Sequence, residues 1–220
     1  MCLIIKKPAG RRITTDFLEN AWRHNHHGWG FFHLEHLDQR GATPQRLVWA
    51  RGLDFEALIS HNTGLPLDAE VYVHLRRATH GDVNHEMAHP FEVHPGLLLM
   101  HNGSIDCLAP QDTEVSDTAE LARLLRDMLA GLSEAQVGVL IRSQGFQALT
   151  APLIQGSMVL LLDAQGAVRL GRTWHAVRRE EWDEAMAGIE VSNTHTWGER
   201  SATQAQSPEA AIRQGQAALA

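Results

Sequence analysis

The chain has 220 residues and a formal net charge of −7, from 26 Asp and Glu against 19 Lys and Arg. That balance argues against a general nucleic-acid surface, which needs clustered excess cations, and 44% apolar residues with 20% charged is ordinary for one globular domain with a substantial core. Two cysteines are too few for a disulfide framework and fit a reducing, cytoplasmic setting, and no apolar run approaches the length of a membrane span.

Residues 2–6 read as a short buried strand, and its apolar start, Cys2 to Ile5, is too short for a signal-peptide core. The basic stretch Lys6 to Arg12 reads as a solvated turn. A helix is expected from Asp16 to Arg23, with Asp16 and Glu19 spaced as a capping box. Gly28 to Leu37 and Gln45 to Ala50 read as strands around a QRGATP turn, and Phe55 to His61 as a short helix. Ala69 to Ala78 is a strong strand. Alternation places Tyr72, His74 and Arg76 on one face, and Val71, Val73 and Leu75 on the other. Gly81 to Pro95 reads as a loop, after which GLLLMHN returns as a strand ending at Asn102.

Thr118 to Leu129 is expected to be an amphipathic helix with Leu121, Leu124, Leu125 and Met128 on one stripe. Ser133 to Ser143 is a second helix, and Gly156 to Arg172 a hairpin turning at Ala164, Gln165 and Gly166. GIEVSN supplies a late strand. Residues 1–200 are expected to form one domain, and 201–220 a polar tail rich in Ala, Gln and Ser with little to bury. The pattern of strands, helices and strands predicts an α+β layered domain.

Four short blocks carry the chemistry: Cys2, HLRRATHG (His74 to Gly81), AHPF (Ala88 to Phe91) and HNG (His101 to Gly103). If Met1 is removed, Cys2 carries a thiol and a free α-amine on one residue. An α-amine, with reference pKa about 7.7–8.0, is roughly a quarter unprotonated at pH 7.4, whereas a lysine amine is only about 0.1% free. An N-terminal Cys therefore brings its own general base. Taken singly, each block has a plainer explanation. Cys2 is then a small apolar strand residue, Arg76 an exposed strand residue, and Asn102 a turn former beside Gly103. Asp117, with Glu120 three residues on, fits an N-cap.

Together and in this order, the blocks resemble the class II glutamine amidotransferase domain, a branch of the N-terminal-nucleophile hydrolases. The resemblance runs from Cys2 to about residue 170. It implies a four-layer αββα sandwich that hydrolyses the glutamine amide to glutamate and ammonia through a thioester. Cys2 is then the nucleophile, and Asn102 with Gly103 the oxyanion hole. Arg76 is the clamp on the substrate α-carboxylate, as a planar guanidinium suits a planar anion. Asp117 is the partner of the α-ammonium, and Thr79 and His80 shape the pocket. Leu75, Arg77, Met87 and His27 depart from the family pattern and leave room for another γ-glutamyl or related amide. The residues after about 175 read as too few and too polar for a synthase, so the ammonia is expected to reach a separate acceptor enzyme or to be released free. A protein that keeps the fold without catalysis is the alternative if Met1 stays.

No cofactor is expected. His24, His26 and His27 cluster, and His33 and His36 lie three apart, but neither set matches a metal-binding spacing. Cys107 reads as an inert thiol. Trp22, Trp29 and Trp49 read as core and pocket wall.

Overall fold

The computed structural model describes residues 1–36, 45–108, 112–178, 182 and 184–197. The expected QRGATP turn and the tail at 201–220 lie outside them.

The elements in chain order are β1 (Leu3–Lys7), α1 (Thr15–His24), β2 (Trp29–His36), β3 (Gln45–Gly52), α2 (Phe55–Gly64) and β4 (Val71–Leu75). Then come β5 (Phe91–His94), β6 (Leu97–Asn102), α3 (Asp117–Leu129), α4 (Glu134–Arg142) and α5 (Gln144–Thr150). The chain continues with β7 (Met158–Asp163), β8 (Gly166–Gly171), β9 (His175–Ala176) and β10 (Glu190–Val191). The result is a mixed α+β fold with two antiparallel sheets. One has six strands in the order β3-β2-β4-β1-β10-β9, and the other has four in the order β5-β6-β7-β8.

The placement of β1 follows from its composition. Its first three residues are apolar, so the strand can be buried on both faces. Leu3 and Ile5 join Val71, Val73 and Leu75 in a cluster with Phe17, Leu18, Ala21 and Leu58 of α1 and α2. Ile4 points the other way and meets Phe32, Tyr72, Leu98, Met100, Met158, Leu160 and Leu162, which join the two sheets face to face. The far face of the second sheet packs on α3, α4 and α5 through Leu121, Leu125, Val137, Ile141 and Phe146. Burying each large aliphatic side chain contributes roughly 1.5–3 kcal/mol. The exposed Arg46–Glu35 pair contributes at most about 1 kcal/mol, so burial decides the stacking.

Several expectations need correction. The N-cap of α1 is Thr14, whose hydroxyl accepts the Phe17 N–H at 3.3 Å, so Asp16 sits inside the first turn. The stretch Lys6 to Arg12 is not simply a solvated turn. Lys7 is buried and donates to the Ala69 carbonyl at 2.7 Å, and Lys6 pairs with Glu70 and Glu190. The faces of β4 are as expected, but the strand stops at Leu75. There Arg76 N donates to Gly28 O at 2.7 Å and His27 N to Arg76 O at 2.9 Å. Two residues thus oppose one, as at a bulge, and regular pairing ends. Strand β5 lies inside the expected loop, and α5 follows α4 directly, with Ser143 capping its start. The β7–β8 turn is tighter than expected, since Asp163 pairs with Gly166 across Ala164 and Gln165. Half of the α3 stripe is not core. Leu121 and Leu125 are buried, while Leu124 and Met128 are exposed and line an apolar cleft of about 630 Å³ with Phe146, Leu149 and Leu153. Trp29 is core, but Trp49 is exposed beneath the Arg51 guanidinium.

Candidate active site

Cys2 stands just before β1 and is half-buried. Its Sγ accepts the Arg77 N–H at 3.4 Å and lies 3.6 Å from the Arg77 carbonyl, to which the thiol donates. Burial pushes the thiol pKa up. The Arg77 N–H, the chain's amino terminus and the Arg76 guanidinium pull it down without overcoming that, and Asp117 adds to the rise. A thiol raised in this way is a poor thiolate at neutral pH, so a nucleophilic role needs a base within reach.

Arg76 is not an exposed strand residue. It is buried, and its Nη1 donates to Asp82 O at 2.6 Å while Nη2 donates to His80 O at 3.1 Å and Gly81 O at 3.4 Å. The loop after β4 is therefore wrapped around a guanidinium, and the charge stays next to Cys2. Burial lowers the Arg76 pKa, and Cys2, Asp117 and Asp82 oppose this. Thr79 and His80 are exposed. The contact that His80 supplies within the loop is its backbone carbonyl, to Arg76 Nη2. Leu75 belongs to the core, opposite Leu3 and Trp29, and is no pocket wall.

The same loop meets the start of α3. Asp82 N donates to Glu114 O at 2.9 Å, and a Cβ on Gly81 would fall 2.8 Å from Ser116 N. The N-cap of α3 is Ser116, which accepts from Ala119 N, so capping is not the role of Asp117. Asp117 is buried in the first turn. Its Oδ2 accepts the Ile105 N–H at 2.8 Å and its Oδ1 accepts the Thr118 N–H at 2.7 Å.

Asn102 ends β6 and reaches β1 through an intermediary. Its Nδ2 donates to Ser192 Oγ at 2.7 Å, and that oxygen also accepts the Ile4 N–H at 2.8 Å. Gly103 follows with φ +144, where a Cβ would lie 2.1 Å from Ser157 Oγ and 2.8 Å from Ser157 Cα. Both the backbone angle and the space demand glycine. Gly103→Ala should cost at least about 2 kcal/mol, which thermal unfolding will register as a fall of roughly 4–8 °C.

Sequence reasoning missed two residues here. Ser192 and Asn193 end the late strand β10, which pairs with β1. Asn193 Nδ2 donates to the Cys2 carbonyl at 2.8 Å, and Asn193 Oδ1 accepts from His195 N, Thr196 N and Thr196 Oγ1. One side chain thus fixes both the nucleophile's backbone and its own turn. The visible signal was a polar Ser-Asn pair closing an apolar strand.

Three buried histidines lie behind the site. The rings of His74 and His89 are 3.8 Å apart, and His74 Nε2 lies 3.1 Å from the His101 carbonyl, to which it donates. Among the described residues no group of three or more His, Cys, Asp or Glu could hold a metal ion. His27 instead accepts the Ala78 N–H at 2.9 Å and stacks edge-on with His26. No described helix is long and apolar enough to cross a membrane.

Five separate segments thus converge beside Cys2: the start of β1, the loop after β4, the end of β6, the start of α3 and the end of β10. No family model matches the chain, and no curated protein matches it.

Proposed function

We propose that the chain hydrolyses the side-chain amide of glutamine, as a class II amidotransferase domain with Cys2 as nucleophile. The observation that carries this is the meeting of Cys2, Arg76, Asn102 and Asp117, which are far apart in sequence. Two stacked antiparallel sheets with helices packed on their outer faces suit the four-layer αββα sandwich that the resemblance implies.

Removal of Met1 frees the Cys2 amine, which takes the thiol proton. Sγ attacks the amide carbon. The amide of Asn102 has two N–H groups; one is given to Ser192, and the other with the Gly103 N–H receives the oxyanion. Each such donor stabilises a transition state by about 3–4 kcal/mol. The C–N bond breaks, the amine returns its proton to the departing nitrogen, and ammonia leaves. Water then adds to the γ-glutamyl thioester, its proton passes to the amine, and glutamate departs as the thiol regains a proton. Arg76 holds the α-carboxylate and Asp117 the α-ammonium. A separate acceptor enzyme consumes the ammonia.

Arg77 favours one second reading. Its exposed guanidinium and its backbone contacts to Sγ suit a γ-glutamyl amide with a leaving amine larger than ammonia. The test is intact mass and peptide mapping after exposure to a glutamine-like electrophile, with ammonia release measured in parallel. Loss of Met1, one adduct on Cys2 and equal yields of ammonia and glutamate are expected. Retained Met1 with no adduct overturns the proposal, and turnover of a larger γ-glutamyl amide but not glutamine selects the second reading.

A further inference from the structure

Asp117 does not hold its position alone. Beyond the two backbone N–H groups, its Oδ1 accepts the Thr118 hydroxyl at 3.3 Å, and Thr118 Oγ1 lies 2.8 Å from His101 Nδ1. A hydroxyl has one proton to give. With that proton on the carboxylate, the His101 contact must run from the ring N–H to the hydroxyl oxygen. The chain of bonds is therefore directed, from imidazole to hydroxyl to carboxylate. All three residues are buried, and a buried bond to a charged acceptor is worth more than an exposed one. His101 also adjoins Asn102, and its carbonyl receives the His74 ring from the strand that leads to Arg76. Two donors fall on Asp117 Oδ1 and one on Oδ2, so Oδ2 keeps a second lone pair for a further cation.

We propose that Thr118 and His101 are positioning residues that fix the Asp117 carboxylate for an α-ammonium group, which makes the free amino group of the substrate a recognised feature. This rests on the glutaminase reading above. Neither residue touches the reacting atoms. Removing the hydroxyl takes one donor from the carboxylate and leaves the His101 N–H without its acceptor, so the loss falls on the amine and not on the amide.

The test compares glutamine with 4-carbamoylbutanoate, which is glutamine without its amino group, used as a competitive inhibitor. In Thr118→Val the KM for glutamine should rise about tenfold, kcat should stay within about twofold, and the inhibition constant of 4-carbamoylbutanoate should not move. Thr118→Ser should restore the glutamine KM. Equal weakening of both ligands, or a Thr118→Val enzyme indistinguishable from the parent, overturns the proposal. If the valine variant does not fold, Thr118→Ala and Thr118→Ser are compared in the same way, with the same outcomes deciding. A parent enzyme that does not turn over glutamine sinks the glutaminase reading itself, whereas an active parent with parallel losses sinks only the positioning role.

Discussion

Cys2→Ala will remove ammonia release from glutamine, with a loss on the order of 10⁴-fold or more, as deletion of a nucleophile causes elsewhere. The fold should survive it. The Sγ contacts are two long ones to the Arg77 backbone, whereas the residue's own carbonyl keeps its bond from Asn193. The unfolding midpoint should therefore stay within about 2 °C of the parent, since long, half-exposed contacts contribute little. Cys2→Ser should be nearly as inactive, because a hydroxyl is far harder to deprotonate than a thiol. Cys107 is exposed and free, and its thiol faces the Leu153 carbonyl at 3.9 Å rather than a proposed catalytic group. It supplies an internal control: a glutamine-like electrophile should spare it and label Cys2. Full turnover in the alanine variant would end the proposed mechanism.

A second large effect is expected with acid. His74, His89 and His101 are buried and neutral, and their pKa values are pushed down chiefly by burial: His74 to about 3, His101 to about 4 and His89 well below 6.5. At His74 the bond to the His101 carbonyl opposes the drop while Arg76 and His101 add to it, and at His89 the His74 and His101 rings, Arg76 and Arg51 all add to it. Asp117 opposes it at His101. The unfolded chain binds these protons near pH 6.5 and the folded chain does not, so stability rises with pH through this range. The full contribution is present above about pH 6.5 and is lost as pH falls toward 4. At pH 5 the shifts at His74 and His101 cost about 2 kcal/mol each, roughly 4 kcal/mol for the pair, and His89 adds to the loss in the same direction. That is close to the lower end of the whole stability of many domains, about 5–15 kcal/mol. Denaturant unfolding at pH 7 and pH 5 measures it directly. Equal stability at the two values would mean that these rings are not buried and neutral. His89→Phe should reduce the pH dependence.

The frame was legible where burial writes itself into long patterns. The apolar start of β1, the alternation of β4, the LLLM run of β6 and the β7–β8 hairpin each leave a signal longer than the element's own ends. Short pieces leave little: the four residues of β5 and the seven of α5 hold only about two repeats of their pattern, too few to stand out from a loop. Cap positions failed for another reason. Thr14 and Asp16 both offer an oxygen three residues before an N–H, and the packing of Phe17 chooses between them. At the candidate site, the motifs drew attention to Cys2, Arg76, Asn102 and Asp117, but no motif foretold that Arg76 would be buried under loop carbonyls or that Asp117 would accept the Ile105 N–H. Ser192 and Asn193 left only the local signal of a polar pair after a strand, because their importance comes from β10 lying beside β1, a pairing that no local window contains.

That pairing has a consequence in time. Asn193 holds a carbonyl 191 residues earlier in the chain. At about 5–20 residues per second, a ribosome needs roughly 10–40 seconds to make the intervening length. For most of that interval the segment around Cys2 is outside the ribosome while its clamp does not yet exist. The backbone at Cys2 therefore stays unpinned until the last described strand has been made.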